Sequence, residues 1–178
     1  IHSIAINPQN DLLYIGNSNS LMALDLNTEN IIKEASISNP VIDMDIDSNL
    51  GYLALVLSPG IVHLYNADTL EPITSDISSS QLPNFSSSGI SVNPSTHIAV
   101  LTNKSDNTIS IVSLEGKTLL DTIPFEQPVA VAINSVNNTA LITHKSGIAV
   151  VKLENPVPLI NAIIPDSSNA GNSGFTLS

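Results

Sequence analysis

Along most of the chain, apolar residues alternate with small or polar ones. Ile109-Ser-Ile-Val-Ser-Leu114 is typical. A period of two is that of a half-buried β-strand, because successive side chains point to opposite faces. The runs are short and are separated by Asn, Gly, Pro and Asp, the residues that favour tight turns. Strands are predicted at Gly89–Asn93, His97–Thr102, Thr108–Leu114 and Thr118–Pro124, then at Val129–Asn134, Thr139–Thr143, Gly147–Leu153 and Leu159–Pro165. A helical period is nearly absent. Thr28–Ala35 could be helical read alone, but it aligns with the outer strands of the other sets.

The sets repeat. Ser3-Ile-Ala-Ile-Asn-Pro8, Asp43-Met-Asp-Ile-Asp-Ser48, Gly89-Ile-Ser-Val-Asn-Pro94 and Ala130-Val-Ala-Ile-Asn-Ser135 align. Their marker residues Asn7, Asp47, Asn93 and Asn134 are 40, 46 and 41 residues apart. Four short strands recurring at about 40 residues are the signature of a β-propeller blade, a small sheet that must stack on its neighbours to bury its faces. The fold expected is therefore all-β, with four four-stranded blades over residues 1–39, 40–87, 88–127 and 128–167. Phe175-Thr-Leu-Ser178 matches the start of a further blade at 168–178. Because both ends carry the same strand, the segment reads as part of a larger ring. The other reading is a four-bladed ring with a spare strand. The Ser-rich insertion Ser78–Ser88 reads as an exposed loop outside the sheets.

Composition narrows the function classes. Among 178 residues there are 16 acids and five bases, all lysine, for a net charge of −11. So few cations cannot neutralise a run of phosphates, which disfavours nucleic acid and anionic membrane surfaces as partners. No apolar run approaches the ~18 residues of a spanning helix, so membrane insertion is not expected. The chain has no cysteine, which removes disulfides, thiolate metal sites and thiol catalysis. Asparagine and serine supply 45 residues, a polar surface with little lysine that leans towards an extracellular or cell-surface location. Asn84-Phe85-Ser86, Asn103-Lys104-Ser105 and Asn137-Asn138-Thr139 are glycosylation-type triplets.

Ile90-Ser-Val-Asn-Pro94, Leu101-Thr-Asn103, Asn107-Thr-Ile-Ser-Ile-Val112 and Asp121-Thr-Ile-Pro124 together resemble the YVTN-type β-propeller repeat. The resemblance covers nearly the whole chain, with blades three and four closest. The Tyr-Val-Thr/Ala-Asn string and most of the family's glycines are missing. It implies a ring of about seven blades, often on surface proteins, and a superfamily that includes lactonases. It implies no chemistry, since related propellers serve as enzymes and as adhesive modules.

The sharpest polar feature is Asp43-Met-Asp-Ile-Asp47. On a strand, Asp43, Asp45 and Asp47 share one face, with Ile42, Met44 and Ile46 on the other. Hard oxygen ligands suit Ca²⁺, so these three are the candidate metal residues. The competing reading is a solvated feature at the channel mouth, with Asp47 as a turn residue where other blades place Asn. The EF-hand pattern is absent, since Ser48 follows Asp47 and Ala54 stands at the twelfth position. His63 reads as a packed or edge side chain, His144 as a turn residue and His97 as a loop residue, with no ligand spacing among them. No Gly-x-Ser-x-Gly elbow or phosphate loop occurs, and there is no arginine to match a lactonase-like cluster. Neither a catalytic nor a cofactor-binding residue is expected. The sequence thus points to a non-enzymatic scaffold or protein-interaction module of a larger exported or surface protein. Its partner would be another protein or the rest of its own chain, with any small-molecule ligand unspecified. The alternative is a lactonase-like or other hydrolase with a cation in the central channel.

Overall fold

In the computed structural model the described residues are 1–73, 77 and 87–153, with the backbone of 159–165. They form four antiparallel sheets in chain order. The first is β1 (Ser3–Asn7), β2 (Leu12–Gly16), β3 (Ser20–Asp25) and β4 (Asn30–Ser36). The second is β5 (Val41–Asp47), β6 (Tyr52–Leu57) and β7 (Ile61–Asn66). The third holds β8 (Ser87–Asn93), β9 (Ile98–Asn103), β10 (Thr108–Ser113) and β11 (Thr118–Pro124). The fourth holds β12 (Pro128–Asn134), β13 (Thr139–His144), β14 (Gly147–Lys152) and β15 (Leu159–Pro165). Each sheet is a meander, so each is a blade.

Three strands of the second blade, plus a single antiparallel bridge of Tyr65 to Pro72, lie among the described residues. One expectation needs correction. Ser87 and Ser88 belong to β8, not to a loop, and Ser87 is buried with its hydroxyl on Asn103 Oδ1 at 2.9 Å. Residues 78–86 of that insertion and the further strand at 168–178 lie outside the described residues. The Thr28–Ala35 stretch is strand β4. Among the described residues no helix is long and apolar enough to cross a membrane.

The turns explain the repeat. All four marker side chains accept the amide of the residue two positions on. Asn7 Oδ1 takes Gln9 N at 3.0 Å, Asp47 Oδ1 takes Asn49 N at 3.1 Å, Asn93 Oδ1 takes Ser95 N at 3.0 Å and Asn134 Oδ1 takes Val136 N at 3.0 Å. This is the Asx turn, and it accounts for the Asn or Asp at that position. Four residues after each marker the backbone turns left-handed, at Asp11, Gly51, His97 and Asn138, with φ between 52° and 67°. A type I turn followed by one left-handed residue closes a hairpin whose twist suits its strands.

The cores lie between blades. Ala5, Tyr14, Leu21 and Ala23 of the first blade meet Met44, Ile46, Leu53 and Leu55 of the second. Ala54, Val56, Val62 and Leu64 on the other side of the second blade meet Ile90, Val92, Ala99 and Leu101 of the third. Val100, Ile109 and Ile111 then meet Ala140, Ile142, Ala149 and Val151 of the fourth. The middle blades are therefore apolar on both faces, and alternation sorts their residues between two interfaces. The inner strands β1, β5, β8 and β12 stand side by side in that order.

Close approach of the first two blades depends on Gly16. A Cβ there would sit 2.8–2.9 Å from the side-chain carbons of Val41. Gly16→Ala is expected to cost about 1–3 kcal/mol by overpacking, read as a lower urea midpoint. The same change on a Val41→Ala background should cost clearly less. Equal costs on both backgrounds would show that the contact does not limit the approach.

Candidate functional site

The three aspartates sit on β5, the inner strand of the second blade, between β1 and β8. Three of the inner strands shift register at equivalent points, between Val41 and Asp43, between Ser87 and Gly89, and between Pro128 and Ala130. A bulge adds one residue to the strand and turns it outward. Ile42 is that residue in β5. It is exposed while Met44 and Ile46 are buried, so the predicted grouping of Ile42 with them fails at the bulge.

Each carboxylate holds specific donors. Asp43 Oδ1 accepts from Ser3 Oγ and from its neighbour Met44 N, both at 3.0 Å, and Asp43 Oδ2 accepts from Ile90 N at 2.9 Å. Asp45 Oδ1 accepts from Ile46 N at 2.8 Å. Its Oδ2 accepts from Val92 N at 2.8 Å and Ser91 Oγ at 3.3 Å. Asp43 and Asp45 therefore cap, from the second blade, two amides on the facing edge of β8. Hydroxyls do the same at the flanking interfaces. Ser3 Oγ accepts from Met44 N at 3.2 Å and Ser91 Oγ accepts from Ile133 N at 3.1 Å. Gly89 leaves room for this, since a Cβ there would meet Thr102 Oγ1 at 3.0 Å and Asp43 Oδ2 at 3.5 Å.

Asp47 plays a different part. It is fully buried, its Oδ1 also takes Leu50 N at 3.0 Å, and its Oδ2 lies 2.8 Å from Nδ1 of His97 in the third blade. The equivalent pair one interface on is Asn93 Nδ2 donating to Asn138 Oδ1 at 2.7 Å. Asn138 Nδ2 in turn donates to the Leu153 carbonyl. Each of these latches joins the marker of one blade to the left-handed residue of the next. Nearby, Gln9 Nε2 donates to Asn49 Oδ1 at 2.8 Å and Asn49 Nδ2 to the Pro94 carbonyl at 2.7 Å, so the marker loops of three blades are tied in a row.

The sequence correctly places the three aspartates on one strand, but their oxygens point to three separate sets of donors. Among the described residues no three His, Asp or Glu side chains converge in a way that could hold a metal ion. His144 ends strand β13 rather than forming a turn, with its ring edge-on to Phe125 at 5.3 Å. His63 lies on β7, half-buried. Asn103 is buried and donates to Thr108 Oγ1 and Ser110 Oγ, so of the glycosylation-type triplets only that of Asn137 is exposed among the described residues. Sequence reasoning missed His97, Ser3, Ser91 and Asn138. The signal was the column Asp11, Gly51, His97 and Asn138, residue types that tolerate positive φ.

Comparison with solved structures settles the architecture. The chain matches the Myceliophteria thermophila Cps50 (Swd1) β-propeller domain with a TM-score of 0.76 at 11% identity, over 95% of this chain and 60% of that one. The fold is a β-propeller. The WD40 repeats of RRP9 match with a TM-score of 0.71 at 15% identity, over 90% of this chain and 50% of that one. Kuenenia stuttgartiensis hydrazine synthase matches with a TM-score of 0.71 at 12% identity, over 92% and 53%. The chain thus spans three-fifths or less of the length of each of these three chains. No family model and no curated protein matches it.

Burial is the largest influence on Asp45 and raises its pKa above the usual carboxylate value; the amides of Val92 and Ile46 oppose it, and Asp43 nearby adds to the rise. The folded pKa is above the unfolded one. Asp45 therefore contributes most stability below about pH 4, and that contribution is lost as pH rises through its raised value. Asp45→Ala removes the acceptor from Val92 N and is expected to cost about 1–3 kcal/mol at neutral pH. In thermal melts the gap between wild type and Asp45→Ala should widen as pH falls from 7 towards 4. A gap that narrows would show that the ionised carboxylate is the better partner.

Proposed function

We propose that the chain is a non-enzymatic scaffold segment of a larger exported or cell-surface protein, which contacts a partner protein through its turn loops. The observation that carries this reading is where the polar chemistry goes. Asp43, Asp45, Asp47 and His97, the groups best suited to catalysis or cation binding, are used in hydrogen bonds between neighbouring blades. What remains for a partner is a rigid stack with loops on its two flat faces, the usual way a repeat fold presents a binding surface. Similarity to WD40-repeat and other propeller domains supports a scaffold. Similarity to a hydrazine synthase means that the fold alone does not decide the matter. The Asn- and Ser-rich, lysine-poor composition supports the extracellular location, and the motifs of blades three and four support kinship with YVTN-type repeats.

The competing reading, a hydrolase with a channel cation, is favoured by one observation: three carboxylates on one inner strand. Melting curves separate the two. If the aspartates are staples, calcium should raise the melting temperature no more than sodium chloride of equal ionic strength, because screening acts on like charges without regard to the ion. A calcium-specific rise that Asp45→Ala abolishes would reveal ligand linkage and favour the cation-dependent reading. Robust turnover of a lactone would end the scaffold reading outright.

A further inference from the structure

The triplets that begin at Asn103 and Asn137 both fall on described residues, and the fold treats them in opposite ways. Asn103 ends β9 and is buried. Its Nδ2 donates to Thr108 Oγ1 at 3.1 Å and to Ser110 Oγ at 2.9 Å, and its Oδ1 accepts from Ser87 Oγ. A sugar on that nitrogen would break both bonds inside a packed interior. Asn137 lies in the turn between β12 and β13 and is exposed. Among the described residues nothing holds its carboxamide. Its neighbour Asn138 is the latch residue, with Oδ1 on Asn93 and Nδ2 on the Leu153 carbonyl. The two asparagines of one turn thus divide the work: Asn138 ties the blades, and Asn137 is left to solvent.

The exposure of Asn137 comes from its place in the repeat and not from the blade it is on. It stands three residues after the marker Asn134. The same place holds Asn10 in the first blade and Thr96 in the third, and both are exposed although another blade follows each. The apolar Leu50 of the second blade folds back onto the core between blades two and three. A polar residue at this place therefore stays in solvent whether or not a blade is stacked after its own. The third residue of the triplet, Thr139, opens β13, and its Oγ1 donates to the Asn137 carbonyl at 3.2 Å. That bond holds the hydroxyl beside the residue to be modified.

We propose that Asn137 is an N-glycan acceptor and that Asn103 is not. The donor is an oligosaccharide carried on a lipid pyrophosphate. Asn137 Nδ2 bonds to C1 of the first sugar, and the bond from C1 to the pyrophosphate oxygen breaks. The lipid pyrophosphate leaves with that electron pair, and one amide proton passes to a base of the transferase. The product carries a bulky, hydrated group at the tip of a marker loop, where it disturbs neither the Asx turn of Asn134 nor the latch of Asn138. The proposal rests on the exported reading of the protein, because the donor is met on the export route.

The test directs the full chain through the secretory route of a eukaryotic host with a secretory leader. Every form carries Asn84→Gln, so that the triplets of Asn103 and Asn137 are read by themselves. On treatment with peptide-N-glycosidase the secreted protein should lose the mass of one glycan. Asn137→Gln and Thr139→Ala should each abolish that loss, and Thr139→Ser should retain it. Peptide mapping should find sugar on Asn137 and none on Asn103. Because Asn137 makes no side-chain contact among the described residues, Asn137→Gln should melt with the deglycosylated wild type. Chain retained in the host's secretory compartment is mapped at Asn137 in the same way. Unmodified Asn137, a mass loss that survives Asn137→Gln, or sugar on Asn103 of the folded, secreted chain would each overturn the proposal. Failure of the exported reading shows itself separately, as protein found in the cytosol of its own cells.

Discussion

Apolar burial between blades is the constraint on which this molecule depends. A four-stranded sheet of short strands has little apolar area on one face and none enclosed within itself. Its stabilisation comes from laying that face on another sheet, at roughly 25 cal/mol per Å² removed from water. Blades two and three satisfy both faces in this way. The contact demands close approach, which is why Gly16 lies under Val41 and why Ala5, Ala54, Ala99 and Ala140 recur in the buried layers.

Stacking creates a second problem, which the polar residues solve. The inner strand of each blade is a sheet edge, and its outward amides are removed from water where the preceding blade packs on it. An unpaired buried amide costs about 1–3 kcal/mol. Asp43 and Asp45 take the amides of Ile90 and Val92, Ser3 takes that of Met44, and Ser91 takes that of Ile133. A cap of this kind also works against misregistered pairing, because a row of satisfied amides offers no template to another strand. The cost is visible at Asp45, where burial of a carboxylate outweighs the hydrogen bonds that favour its ionised form.

The strands and their order were legible because each one combines a two-residue period with a counterpart about 40 residues away. Ile109–Leu114 and Ile148–Leu153 could be aligned without knowing what they touch. The alignment also placed the aspartates together on β5. Their partners were not legible, because Ile90, Val92 and His97 lie 47 to 50 residues along the chain and meet β5 only once the blades stack. Three acids read in isolation suggest an ion; most of the donors they meet are backbone amides, which leave no mark in a sequence. Ile42 was misplaced for a related reason, since a bulge breaks the period without a change of residue type.

Native-state hydrogen exchange of single amides tests most directly whether packing between blades holds the molecule together. Ile90 and Val92 sit under the second blade, while Ile4 and Ile6 hold the same places in β1 with no blade packed over them among the described residues. Measured at the lowest workable concentration, the amides of Ile90 and Val92 should exchange only through near-global opening, and those of Ile4 and Ile6 many times faster. Equal protection at the four amides would contradict the account, because the edge amides of Ile4 and Ile6 would then be shielded from water without a neighbouring blade to cap them.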